Sequence, residues 1–108
     1  MSERSILAET ATPDGILVMM FEDTWHGHIV DPREGHGELA AHLDAVLAAV
    51  SAPDHREPDP FAGRERFYKR AVGPSRWLMV VVSFEQEPAR IETALGYGHG
   101  RAPAGWNP

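Results

Sequence analysis

"RERFYKRAVGPSRWLMVVVSFEQEPARIETALGY" (residues 64–97) decides the fold, because it contains three strand-like runs separated by two short breaks. "RERFYKRA" alternates in character. "RWLMVVVSFE" is rich in β-branched and aromatic residues, and "RIETALGY" sets Ile91, Thr93 and Leu95 against Arg90, Glu92 and Ala94. The breaks "VGPS" and "QEPA" are turn-like, so strands near 64–71, 76–85 and 90–97 are expected to pair antiparallel in sequence order.

Upstream, "GILVMMF" (residues 15–21) is a continuous apolar run that suits a buried strand. "EDTWHGHIV" predicts a short helix capped by Asp23 or Thr24, with Trp25, His28 and Ile29 sharing one face. "ELAAHLDAVLAAVSA" predicts the main helix, over 38–52, with an apolar stripe of Leu39, Leu43, Val46, Leu47 and Val50. "PDHREPDPFAG" carries three prolines and reads as a loop. The expected architecture is α+β: N-terminal helices packed on one face of a three- to four-stranded antiparallel sheet. Residues 1–14 read as a flexible arm, 15–97 as a single domain and 98–108 as an irregular tail.

The chain has 108 residues, enough for one modest core, and no cysteine, which excludes disulfides and thiolate metal sites. No run approaches the ~20 apolar residues of a membrane span, and the polar N-terminus lacks the apolar segment of a signal peptide. A cytoplasmic location with no membrane partner is the expectation. Net charge is −6, against a generic nucleic-acid binder, but its distribution is uneven. Residues 1–63 hold twelve acids and three bases, whereas residues 64–108 hold four acids and seven bases. Five of those seven bases lie between Arg64 and Arg76.

Alternation in "RERFYKR" puts Arg64, Arg66, Tyr68 and Arg70 on one face, and Glu65, Phe67 and Lys69 on the other. An arginine fork binds phosphate oxygens in bidentate fashion, and tyrosine can stack on a base or donate to phosphate. The plain alternative is an edge strand kept soluble by charge.

Four of the six histidines, His26, His28, His36 and His42, cluster in "TWHGHIVDPREGHGELAAH" (residues 24–42). Four imidazoles suffice for zinc, but residues two apart on a helix diverge and no HExxH occurs, so no metal site and no cofactor is assigned. His26 and His42 read as surface and helix-flank residues. His28 is expected to look toward the sheet. His36 is expected in the turn that opens the main helix, where backbone N–H groups favour anions and a neutral imidazole. Either can move a proton near neutral pH.

The order "W-H-G-H-I", "H-G-E-L", "V-S-A-P-D", "R-E-R-F-Y-K-R", "R-W-L-M-V-V-V" and "R-I-E-T-A" resembles the small phage- and toxin-type nucleases of the barnase/EndoU/colicin/RelE-like superfamily. The resemblance covers residues 15–97 and lies in order and spacing rather than in one motif. It implies helices on an antiparallel sheet and metal-independent RNA cleavage, in toxin–antitoxin or phage settings with an antitoxin or immunity protein as partner. Carried over by position, it points to His28, His36, Tyr68 and Thr93 as catalytic. Arg66, Lys69, Arg70 and Arg76 are then the phosphate-binding candidates. Gly37 stands where the family has proline, and the segment between His28 and His36 is longer than the family's. Two other readings compete: a non-catalytic interaction module on the same fold, and a histidine-metal hydrolase.

Overall fold

The computed structural model describes residues 5–31, 39–70, 77–97 and 106. Its centre is a six-stranded mixed sheet in the order β1-β2-β6-β5-β4-β3. The strands are β1 (Ile6–Ala11), β2 (Leu17–Phe21), β3 (His55–Pro58), β4 (Arg64–Arg70), β5 (Trp77–Ser83) and β6 (Ala89–Tyr97). Helix α1 (Glu22–Thr24) runs on into a π-helical turn, Trp25–Ile29, and α2 spans Leu43–Ser51.

The expected β4–β5–β6 meander is present and antiparallel throughout. The expected sheet of three or four antiparallel strands under N-terminal helices is corrected. The sheet has six strands, and β2 joins β6 in parallel through Val18↔Ala89 and Met19↔Arg90. Helix is confined to short pieces among the described residues. Both missed strands are sheet edges. Residues 6–11, expected in a flexible arm, form β1 against β2, and residues 55–58, expected in a proline-rich loop, form β3 against β4. An edge strand pairs on one side only and buries little, so "HREP" carries no apolar alternation to announce it.

Helix α2 starts at Leu43 with His42 at its N-cap, later than the expected 38–52. Leu39 is fully buried ahead of it. Val46, Ala49 and Val50 of α2 pack with Trp25 and Ile29 on Val18, Met20, Phe67, Leu78, Val80, Val82, Ile91 and Ala94. This is the main core, on the inner face of the sheet. Strand β6 reaches it through a bulge: Val82 faces Ile91 but Val81 faces Thr93, leaving Glu92 as the extra residue. The bulge breaks the expected alternation. Ile91 and Ala94 both point to the inner core, while Leu95 packs on the outer face.

The β3–β4 turn depends on Gly63, which has φ +80° and whose backbone carbonyl accepts the Phe84 N–H at 2.7 Å. A Cβ at this position would run into the Glu85 side chain. Gly63→Ala should therefore cost about 1–3 kcal/mol through a strained left-handed backbone. Phe67→Ala, which empties the inner core, should cost about 3–5 kcal/mol. Urea denaturation checks both; a Gly63→Ala protein as stable as the parent would contradict the turn geometry.

Candidate functional site

The outer face of the sheet gathers the chemistry. Register places Glu57, Arg66, Val81 and Thr93 in one row across four strands, and His55, Tyr68, Met79 and Leu95 in the next. Arg70 faces Trp77 in the row beyond. The alternation expected for β4 holds, since Tyr68 belongs to an outer cluster with Trp77, Met79, Val81 and Trp106, while Phe67 lies in the inner core.

Four rings meet in that cluster. His55 lies 5.6 Å from Tyr68, and Trp106 stacks on His55 at 6.0 Å with only 13° between planes. Trp106 also lies 5.2 Å from Tyr68 and meets Trp77 edge-on at 5.6 Å. The Arg70 guanidinium sits over the Trp106 ring, 5.3 Å from its centre.

The polar groups are held by short contacts. His55 Nε2 lies 3.0 Å from Glu57 Oε1, two residues along the same strand face. When His55 donates this hydrogen bond, the proton sits on Nε2 and Nδ1 keeps the lone pair, so the carboxylate sets the tautomer. Arg66 Nε donates to Asp59 Oδ1 at 2.8 Å. That bond holds the Arg66 guanidinium above its ordinary range; burial opposes the shift, and a hydrogen bond with Tyr68 adds to it. Asp59 shows the reverse balance. Burial pushes its carboxyl up, but the Phe61 backbone N–H and Arg66 outweigh burial and leave it below the ordinary 3.8. Asp54 accepts the Arg70 backbone N–H at 2.7 Å and lies 3.6 Å from the Arg70 guanidinium.

The sequence-based candidates divide. Tyr68, Arg66, Arg70 and Thr93 share the outer face, as expected of one surface. Lys69 does not: its ammonium donates to the Ala52 carbonyl at 2.7 Å, at the end of α2 on the inner side. His28 is exposed rather than turned to the sheet. The π-turn, closed by Val30 N–H to the Trp25 carbonyl at 2.9 Å, is wider than an α-turn, so Trp25 and Ile29 bury together and His28 rotates outward. His28 lines a shallow depression with Asp23, Thr24 and Glu92, and none of the outer-face residues joins it there. His36 and Arg76 lie outside the described residues, and the helix that His36 was expected to open begins at Leu43.

Sequence reasoning missed His55, Glu57 and Trp106. The spacing of His55 and Glu57 is a strand alternation hidden by the flanking prolines. Nothing in the Gly/Pro-rich tail marks Trp106 as buried. Among the described residues, no group of three His, Cys, Asp or Glu stands close enough to hold a metal, and no helix is long and apolar enough to cross a membrane. Neither a family model, nor a curated protein, nor a solved structure matches the chain. The chemistry of the site rests on its own geometry.

Because the Asp59 carboxyl is lowered, it contributes stability above its unfolded value near 3.8, and that stability is lost as pH falls through the lower folded value. Asp59→Asn should remove this part of the acid limb while weakening the protein at pH 7. Thermal melts between pH 2 and 7 check it; an unchanged acid limb in Asp59→Asn would contradict the Arg66–Asp59 pairing.

Proposed function

We propose that the chain is a metal-independent endoribonuclease acting on RNA in the cytoplasm, with its site on the outer face of the sheet. One observation carries the reading: His55, oriented by Glu57, stands directly across from Tyr68, and Arg66 and Arg70 flank that pair on the same face. A proton-transfer pair beside two guanidiniums is what RNA cleavage by its own 2′-hydroxyl requires. A base takes the 2′-hydroxyl proton, and the 2′-oxygen bonds to the adjacent phosphorus. The bond from phosphorus to the 5′-oxygen breaks, and an acid protonates that oxygen. Each proton transfer is worth about 10²–10⁴ in rate. His55 Nδ1 suits the base and the Tyr68 hydroxyl the acid, while Arg66 and Arg70 stabilise charge on the phosphate oxygens. The nucleophile belongs to the substrate, so the scheme needs no metal-bound water.

The resemblance to phage- and toxin-type nucleases, whose implied antiparallel fold this six-stranded mixed sheet does not share, bears on the reading only through Tyr68 with Lys69 or Arg70 beside it, which it selects from sequence order. It also names His36 as an acid–base candidate, and an antitoxin or immunity protein as the partner. Relative to that resemblance, the acid–base role is moved here from His28 to His55.

The test is cleavage of total RNA by purified protein in EDTA. His55→Ala should lose about 10²-fold or more in rate. Tyr68→Phe should lose activity with little change in fold, and His28→Ala should retain it. His36→Ala tests the residue that the resemblance adds. Full activity in both His55→Ala and Tyr68→Phe, or activity abolished by EDTA in the parent chain, would overturn the proposal.

A further inference from the structure

Trp106 is an unusual occupant of the outer face. It is separated in sequence from every strand it touches, yet only 7% of it is exposed. His55 stacks on its ring, Arg70 lies over it, and Trp77 meets it edge-on. With the indole enclosed in this way, Trp106 offers no open surface on which a ligand could stack. Its Nε1–H is buried without a hydrogen-bond partner. A buried donor with no acceptor loses its water and gains nothing in return. The slot therefore fits the flat shape of the ring but not its polar edge.

We infer that the slot formed by His55, Tyr68 and Trp77 and covered by Arg70 is a binding subsite for a nucleobase of RNA, which the chain's own Trp106 occupies as a stand-in. The inference rests on the RNA reading above and names the part of the substrate bound beside the cleaved phosphate. An indole and a purine are fused bicycles of closely similar size. Bases bind single-stranded RNA sites by stacking on aromatic rings and arginine planes. A purine also brings ring-nitrogen acceptors where indole brings the N–H donor that goes unpartnered here, and Arg70 can stack on its face as it lies over Trp106. Two walls of the slot are the His55–Tyr68 pair itself, and Arg66 stands in the next row, so a base held there brings its own phosphate to the proposed chemistry. Trp106 then acts as a plug that substrate displaces. Apparent affinity falls by the fraction of molecules in which the slot is free.

The experiment measures binding of adenosine 3′-monophosphate to the full chain by calorimetry, with ribose 5-phosphate as the control lacking a base. Trp106→Ala should bind the nucleotide on the order of 10-fold or more tightly than the parent, because the plug no longer competes. Ribose 5-phosphate affinity should be unchanged. A second readout covers a Trp106→Ala chain that does not fold. In the parent chain, the Trp106 indole N–H, assigned by comparison with Trp106→Phe, should change from slow to fast solvent exchange as the nucleotide is added. Nucleotide affinity unchanged or weakened in a folded Trp106→Ala chain, or a Trp106 N–H that stays protected at saturating nucleotide, would overturn the subsite. Neither readout depends on cleavage. A chain that binds the nucleotide in this way but cuts no RNA keeps the subsite and refutes the nuclease. A chain that cuts RNA while Trp106 stays protected refutes the subsite alone.

Discussion

Strand β5 is buried on both faces along its whole length, and the rest of the structure is arranged to cover it. Leu78, Val80 and Val82 point one way, and Trp77, Met79 and Val81 the other. A strand that is apolar on both sides is stable only when each side meets its own packing layer. On the inner side α2, Trp25 and Ile29 provide that layer. On the outer side no helix is present among the described residues, and the cover is made of side chains: Tyr68, Leu95 and Trp106. Among the described residues, the outer face is thus a thin aromatic layer laid between arginines.

That layer serves two requirements at once. Apolar area removed from water contributes about 25 cal/mol per Å², so a tryptophan over Trp77 and Met79 stabilises the sheet. The same rings lie beside His55, Arg66 and Arg70, the residues of the proposed site. Stability is served by keeping Trp106 in place, whereas a base subsite requires it to leave. The unpartnered indole N–H weighs against permanent closure.

Electrostatics explain how an acidic chain can still carry a sheet face with two arginines on it. The outer-face arginines are not bare charges. Arg66 is fixed by Asp59, and Arg70 is steadied by Asp54. The two carboxylates, one on each flank of β3, limit the movement of the guanidiniums they pair with. On the inner side Arg56 bonds Asp14 and Glu65 and lies over the Phe67 ring, sealing the core edge rather than serving the site. The net charge of −6 is therefore a poor guide to the outer face, whose local character comes from β4.

The sequence by itself determined the β4–β5–β6 meander, the alternation that sends Tyr68 and the arginines to one face, and the apolar stripe of α2. Each follows from local periodicity, which a strand or helix imposes on its own residues. Only tertiary structure decided the rest. β1 and β3 are strands because neighbouring edges offer them backbone partners, and hydrogen bonding of that kind leaves little trace in side-chain pattern. The bulge at Glu92 shifts the facing of Thr93 and Leu95 relative to Ile91, and no residue type encodes it. His28 turns outward because the Trp25–Ile29 turn is π-helical rather than α-helical. His55 and Trp106 join Tyr68 from distant parts of the chain, one across a hairpin and one from the tail. His28 lies apart from Tyr68 for the same reason: a sheet face is assembled across strands, and neighbours across strands are remote along the chain.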